Sequence, residues 1–347
     1  MNQLAIAVAT SLVLYGMFPG NVLAADYSMT PTVNDQKWLL PAPPPSPADN
    51  PSTKERVELG KMLFFDPRLS SERNLACATC HNPAFGWTDG LPTAKGFKSK
   101  VLGRKTPTIV NSAYTTLQMW DGRRASLEDQ AMGPMESQDE MAMDLGALFA
   151  WLNGNPTYQT AFDKAYPGEA IDKATTSKAI AAFERTITSG DSPFDRWVRG
   201  DKTAMSTQQV HGFRLFEDAA KGNCAVCHSA PNFTDGGFHN IGLTAYARPN
   251  PDVGRFAIKP LPSLKGAFKT PTLRDIALTA PYFHDGSART LTEVVEHYKK
   301  GGETKADLSP NIKPLNLTPG EVQDIVAFMQ ALTTPQKPFT LPLLPTN

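Results

Sequence analysis

All four cysteines of the 347-residue chain fall into two copies of one frame, CATCH at residues 77–81 and CAVCH at residues 224–228. In a Cys-x-x-Cys-His frame the two thiols, here Cys77 with Cys80 and Cys224 with Cys227, can each add to a vinyl group on one edge of a haem. The adjacent imidazole, His81 or His228, is then held against the iron as an axial ligand. Two other chemistries use paired cysteines. A zinc site could draw on two Cys-x-x-Cys pairs, although 143 residues lie between Cys80 and Cys224 and each pair runs directly into histidine. Disulfides are the second alternative in an oxidising compartment. The motif, taken with the export signal described below, favours two covalently bound c-type haems.

The stretch VVEHYKKGG at residues 294–302 offers two further rings. Thr290 and Glu293 read as a capping box, so a helix is expected to open at Leu291, carry Lys299 and Lys300 at its C-terminal end, and close at Gly301 and Gly302. At helical spacing Leu291, Val294, Val295 and Tyr298 share one face, which points Tyr298 inward and leaves His297 about 100° round the helix. Periodicity alone favours a core tyrosine whose hydroxyl finds a backbone acceptor.

A duplication adds to this. KTPTIVNSAYTTLQMWDGRRASLED (105–129) lies over KTPTLRDIALTAPYFHDGSARTLTE (269–293) at an offset of 164, with nine identities in twenty-five ungapped positions. Thr-Pro-Thr and Asp-Gly are common turn punctuation, but the ungapped length, with each copy downstream of its own CxxCH frame, argues for two related haem domains. The first copy's helix is expected to start at Ser126, with Asp129 three residues on, and to break early, because Pro134 stands at the place of Tyr298. The second iron then has a side chain aimed at it, and the first keeps an open position for a small oxidant. His284 lies opposite Trp120 in the duplication and is expected at the second haem pocket or the contact between domains. His239 is expected in a similar place, and His211 packed or exposed on its helix.

The elements that must hold these residues read as helices. Thr318-Pro319-Gly320-Glu321 is a capping box with proline at the first helical position, followed by Val322, Ile325, Val326 and Met329 at helical spacing. Similar patterns begin near Ser206, with Val210, Phe213 and Phe216, and near Thr176, with Ile180, Phe183 and Ile187. Long alternating strand patterns are absent, so the fold expected is mainly α, with two cytochrome c-like haem domains related by internal duplication. Residues 4–18 form an apolar run ahead of a small-residue site ending at Ala24, the layout of an export signal. The run is shorter than the roughly 18–20 apolar residues a membrane span needs. The division expected is signal peptide 1–24, proline-rich arm 25–50 ahead of the first domain, haem domains 51–195 and 196–335, and tail 336–347. The crossing between domains is expected at residues 189–206. A periplasmic protein without a span in the mature chain follows. The 34 basic and 34 acidic residues balance without long runs of either sign, which leaves no electrostatic footprint for nucleic acid.

With these residues in view the chain resembles the bacterial di-haem cytochrome c peroxidase and MauG family, from about Val57 to Leu332. The resemblance places Trp120, in MWDGR, between the haems, and makes Gln130 and Glu140 the distal-pocket glutamine and glutamate, with Glu136 the neighbour most easily confused with Glu140. Phe97 stands where family peroxidases commonly carry a removable histidine ligand. Tyr298 stands where they use methionine, and tyrosine there is similar to MauG. Gly222 replaces the surface tryptophan through which MauG passes holes to its partner. The family's interdomain calcium uses an asparagine at the place of Lys105, with oxygens matching Thr279 and Pro281. A lysine ammonium is no calcium ligand, so calcium is left open.

The resemblance implies hydrogen peroxide bound opposite His81, with Glu140 moving a proton, Gln130 positioning the peroxide or the carboxylate, and Trp120 passing an oxidising equivalent toward the second haem. Oxidation of a tryptophan or tyrosine side chain on a partner protein is the function expected first. Peroxide reduction with electrons from a small cytochrome or copper protein is the second reading, and a non-enzymatic electron carrier the third.

Overall fold

The computed structural model describes residues 27–336 and 338–346, so the expected signal at 1–24 lies outside the described residues. Eleven helices dominate what is described. In the first half α1 (Lys54–Phe65) precedes α2 (Cys77–Cys80), α3 (Leu127–Ala131), α4 (Gly133–Glu136), α5 (Leu145–Gly154), α6 (Pro156–Ala165) and α7 (Lys173–Glu184). The second half holds α8 (Pro193–Val198), α9 (Thr207–Glu217), α10 (Leu291–Lys299) and α11 (Pro319–Ala331). The two short strands, β1 (Phe238–His239) and β2 (Phe268–Lys269), pair antiparallel. The mainly helical, duplicated architecture expected from the sequence is what the chain adopts.

Each half is built on one tight helix crossing. α1 packs on α7 and α9 on α11, and both crossings turn on a glycine. A Cβ on Gly60 would lie 1.9 Å from the Ala179 carbonyl oxygen, and one on Gly212 would lie 1.8 Å from that of Asp324. The same second neighbour recurs, Phe183 Cβ in one half and Phe328 Cβ in the other, each at 2.9 Å. Around the first crossing pack Leu59, Leu63, Phe64, Leu148, Tyr158 and Phe162. Around the second pack Phe194, Trp197, Phe213, Phe216 and Phe233.

The duplicated segments share backbone as well as sequence. Asn111 and Asp275 have φ of 58° and 57°, Met119 and Phe283 72° and 68°, Gly122 and Gly286 65° and 66°. The two copies also clasp each other reciprocally: Lys105 N–H donates to the His284 carbonyl (2.7 Å), and Lys269 N–H to that of Trp120 (2.8 Å).

Local signals held with small shifts. Ser206 with Gln209, and Thr318 with Glu321, form complete capping boxes. At α10 Thr290 caps Glu293 N–H (3.1 Å), but the Glu293 carboxylate takes the N–H of Arg289 rather than that of Thr290. Asp129 overshoots likewise, to Ala125. α7 starts before Thr176, capped by Asp172, and Ile187 packs beyond its end.

The two ends and the crossing find partners that no pattern in the sequence specified. The N-terminal segment reaches both halves: Asn50 donates to Glu128 and the Lys178 carbonyl of the first, and Trp38 packs into the second. Trp38 is 1% exposed, stacks on Phe233 at 4.4 Å, and donates from Nε1 to Glu217. The tail beyond 336 returns to the first half, where Phe339 stacks on Phe65 at 5.3 Å and Arg68 donates to the Pro345 carbonyl. Residues 189–206, where the crossing between domains is expected, carry structure of their own. They contain α8, whose Asp195 forms a fully buried ion pair with Arg274 at 2.9 Å, while Arg274 also holds the Trp38 carbonyl.

Candidate haem and peroxide site

One cavity of about 730 Å³ runs between the halves and is lined by both CxxCH frames. Cys77, Cys80, Cys224 and Cys227 all line it, and no disulfide joins them. Burial pushes the Cys80 thiol up to about 11 and that of Cys224 up to about 12, so both are protonated at neutral pH. His81 Nδ1 lies 3.1 Å from the Trp87 carbonyl and His228 Nδ1 3.0 Å from that of Phe233. A carbonyl only accepts, so Nδ1 carries the proton and Nε2 keeps its lone pair for a metal. Burial holds both imidazoles below the usual histidine range. Trp87 and Phe233 aim these carbonyls from positive φ, 61° and 53°, so the same device serves both frames. Paired thiols at the wall, a neutral imidazole in each half and a largely apolar cavity fit two c-type haems.

The expected face of α10 is the observed one: Leu291, Val294, Val295 and Tyr298 all line the cavity. Burial raises the Tyr298 phenol well above its ordinary range, with the nearby Cys227 and Cys224 adding to the effect. His297 is turned away. Its Nε2 donates to the Ile241 carbonyl (2.8 Å) and its Nδ1 meets the Glu303 carboxylate. In the first copy the helix breaks after Ala131, and Pro134 lines the cavity at the place of Tyr298.

Gln130 and Glu140 both line the cavity. Burial raises the Glu140 carboxyl above the usual carboxylate range, against the opposing pull of Arg123 and of the Ser137 hydroxyl. Glu136 is instead paired to Lys173 at 2.5 Å, and is not among the lining residues. Trp120 lines the cavity between the two frames, its Nε1 donating to the Lys105 carbonyl (2.8 Å) and its ring meeting His284 edge-on at 6.3 Å. His284 stacks on Phe268 at 3.5 Å, and burial lowers its pKa to about 4. His239 lines the cavity and bonds Asp235 at 2.9 Å, while His211 is packed against Asp324 at 2.8 Å.

Phe97 does not line the cavity; its N–H holds the Asp139 carbonyl, next to Glu140. Gly222 leaves little room for a side chain, since a Cβ there would sit 2.5 Å from the Leu215 carbonyl oxygen. The Lys105 ammonium is buried with no hydrogen-bond partner, beside a cavity that Thr279 and Pro281 also line. Sequence reasoning missed Glu184, a buried acid in this cavity whose Oε2 has no partner and whose pKa burial raises to about 8. Its signal was a carboxylate four residues after Ile180, on the apolar face of α7.

Residues 54–203 match the family model described as di-haem cytochrome c peroxidase, and residues 209–333 match that of cytochrome c. The methylamine utilization protein MauG of Methylorubrum extorquens is 44% identical over 312 residues, covering 89% of this chain and 87% of that protein. Cytochrome c551 peroxidase of Nitrosomonas europaea is 38% identical over 304 residues, covering 87% and 86%. A crystal structure of a MauG-like protein associated with microbial copper homeostasis superposes with a TM-score of 0.79 at 33% identity, covering 85% of this chain and 95% of that one. With two haem-binding frames, a shared cavity and these likenesses, the chain belongs to the di-haem cytochrome c peroxidase and MauG family of oxidoreductases.

Proposed function

We propose that this protein is an exported, periplasmic di-haem oxidoreductase that uses hydrogen peroxide, in the manner of MauG, to oxidise a tryptophan or tyrosine side chain of a partner protein. The observation that carries the reading is the asymmetry of the cavity, with a tyrosine in one copy and a proline at the same place in the other. Cys77, Cys80 and His81 would hold one haem, and Cys224, Cys227, His228 and Tyr298 the other. When bound, haem would supply the two electrons that break the peroxide O–O bond, the far oxygen leaving as water. Glu140 supplies the proton movement, taking a proton from the near peroxide oxygen and returning it to the far one. A carboxyl raised by burial is suited to both steps. Gln130 orients the peroxide or that carboxylate. Trp120 lines the cavity that both frames share and would carry oxidising equivalents across it. Tyr298 would hold the second haem from α10; a phenolate there, its proton released to solvent on binding, would favour higher iron oxidation states.

The identity to cytochrome c551 peroxidase supports a second reading, peroxide reduction with electrons from a small cytochrome or copper protein. Rapid steady turnover of peroxide with reduced cytochrome would favour it; slow turnover with a mass change on a co-purifying protein favours the first. Electron paramagnetic resonance of the ferric protein is expected to show one low-spin and one high-spin signal. Two low-spin signals would remove the open position on which the mechanism stands. Glu140→Gln is expected to slow the reaction with peroxide by about 10²–10⁴-fold with haem content unchanged, and unaltered stopped-flow rates would take Glu140 out of the mechanism.

A further inference from the structure

Lys105 opens the first duplicated segment and is pinned at both backbone groups, its N–H on the His284 carbonyl and its carbonyl under Trp120 Nε1. The side chain is 5% exposed, it lines the cavity, and its ammonium meets no acceptor. Three donors without a partner in a buried place are strongly unfavourable. The nearby acid, Asp89, is engaged elsewhere, by the Thr106 hydroxyl at 2.8 Å and Leu91 N–H at 3.0 Å. Asp121 and Asp252, which also line the cavity, are paired to Arg104. Lys269, the same position in the second copy, also has one nearby acid, Asp235. The fold therefore places a fixed amine where the halves meet, with no acceptor within hydrogen-bond reach.

We propose that the Lys105 ammonium is the ion-pair partner of a haem propionate at the contact between the two halves. This rests on the two-haem reading above. A carboxylate is the class of ligand that satisfies a point cation with three donors, and haem brings carboxylates into a cavity where the acid beside Lys105, Asp89, is already engaged. A fixed positive charge beside a haem favours the reduced iron, which carries one charge less, so its loss lowers the midpoint potential.

The test is spectroelectrochemical titration of the purified full chain loaded with haem. Lys105→Met, which keeps length and apolar bulk, is expected to shift the ferric to ferrous equilibrium of at least one haem about tenfold toward ferric, a fall of about 59 mV for a one-electron couple. Lys105→Arg restores the wild-type value. Lys105→Gln makes the same measurement if the methionine variant fails to take up haem. Unchanged potentials in the uncharged variants overturn the pairing. Wild-type potentials that move between chloride and phosphate at one ionic strength overturn it too, because the amine then holds a diffusible anion. Fewer than two haems per chain by pyridine haemochrome assay would overturn the two-haem reading itself, and with it the pairing, independently of any potential.

Discussion

Glu140 and Glu184 share a cavity, yet their surroundings separate them. Burial raises both, but Glu140 feels Arg123, Arg124 and the Ser137 hydroxyl, whereas Glu184 is opposed only by Arg185 and rises to about 8. A carboxyl at about 8 when folded and about 4.5 when unfolded binds a proton in the folded state that the unfolded chain has released. Its contribution to stability is therefore most favourable below about pH 4.5, declines as pH rises to about 8, and is flat beyond. Glu184→Gln keeps the shape and removes the titration. The drop in thermal midpoint between pH 5 and pH 8 is expected to shrink in that variant, and an unchanged drop would mean that Glu184 ionises as an ordinary carboxylate. Residues with a covalent or duplicated signature, such as the cysteines and Tyr298, were legible in the sequence. Glu184 was not, because one acid on an apolar helix face carries no motif.

At the scale of helices, the two crossings explain why part of the duplication was hidden. Gly60-Lys-Met-Leu63-Phe64 and Gly212-Phe-Arg-Leu215-Phe216 repeat Gly-x-x-Leu-Phe at an offset of 152, whereas the ungapped segment repeats at 164. Insertions between elements put each matching pair at its own spacing, so alignment at one offset recovers one segment and loses the rest. The function of these glycines is visible only once a second helix backbone lies against them. Gly212→Ala gains about 1 kcal/mol of helix propensity, but its Cβ falls 1.8 Å from a backbone oxygen, and forcing two packed helices apart costs about 1–3 kcal/mol or more. The clash outweighs the propensity. The variant is expected to lower the guanidinium midpoint, while Gly154→Ala, with nothing within 4 Å, leaves it unchanged or slightly raised. Equal midpoints for both variants would show that the crossing tolerates a methyl. α10 illustrates the converse, an element legible to its boundaries, because cap, apolar face and closing glycines all agree.

Over the whole molecule the ends are exchanged. The N-terminal segment buries Trp38 in the second half, where its carbonyl meets Arg274 of the Arg274–Asp195 pair, and the C-terminal tail lays Phe339 on Phe65 and Trp87 of the first. Neither placement could be read from a proline-rich stretch or an irregular tail, whose partners lie more than 150 residues away in sequence and are found by shape rather than pattern. Trp87 also supplies the carbonyl that holds His81, so the tail buttresses the first haem frame although it follows the second in the chain. Hydrogen exchange followed by mass spectrometry tests this crossed dependence. Ending the chain at 336 is expected to reduce protection in peptides from α1 and the segment around Trp87, and to spare α9. Trp38→Ala, which removes a fully buried ring at a cost of about 3–5 kcal/mol, is expected to do the reverse, loosening α8 and α9 and sparing α1. If each change instead loosened the half nearest to it in sequence, the exchanged ends would not be what braces the two haem frames.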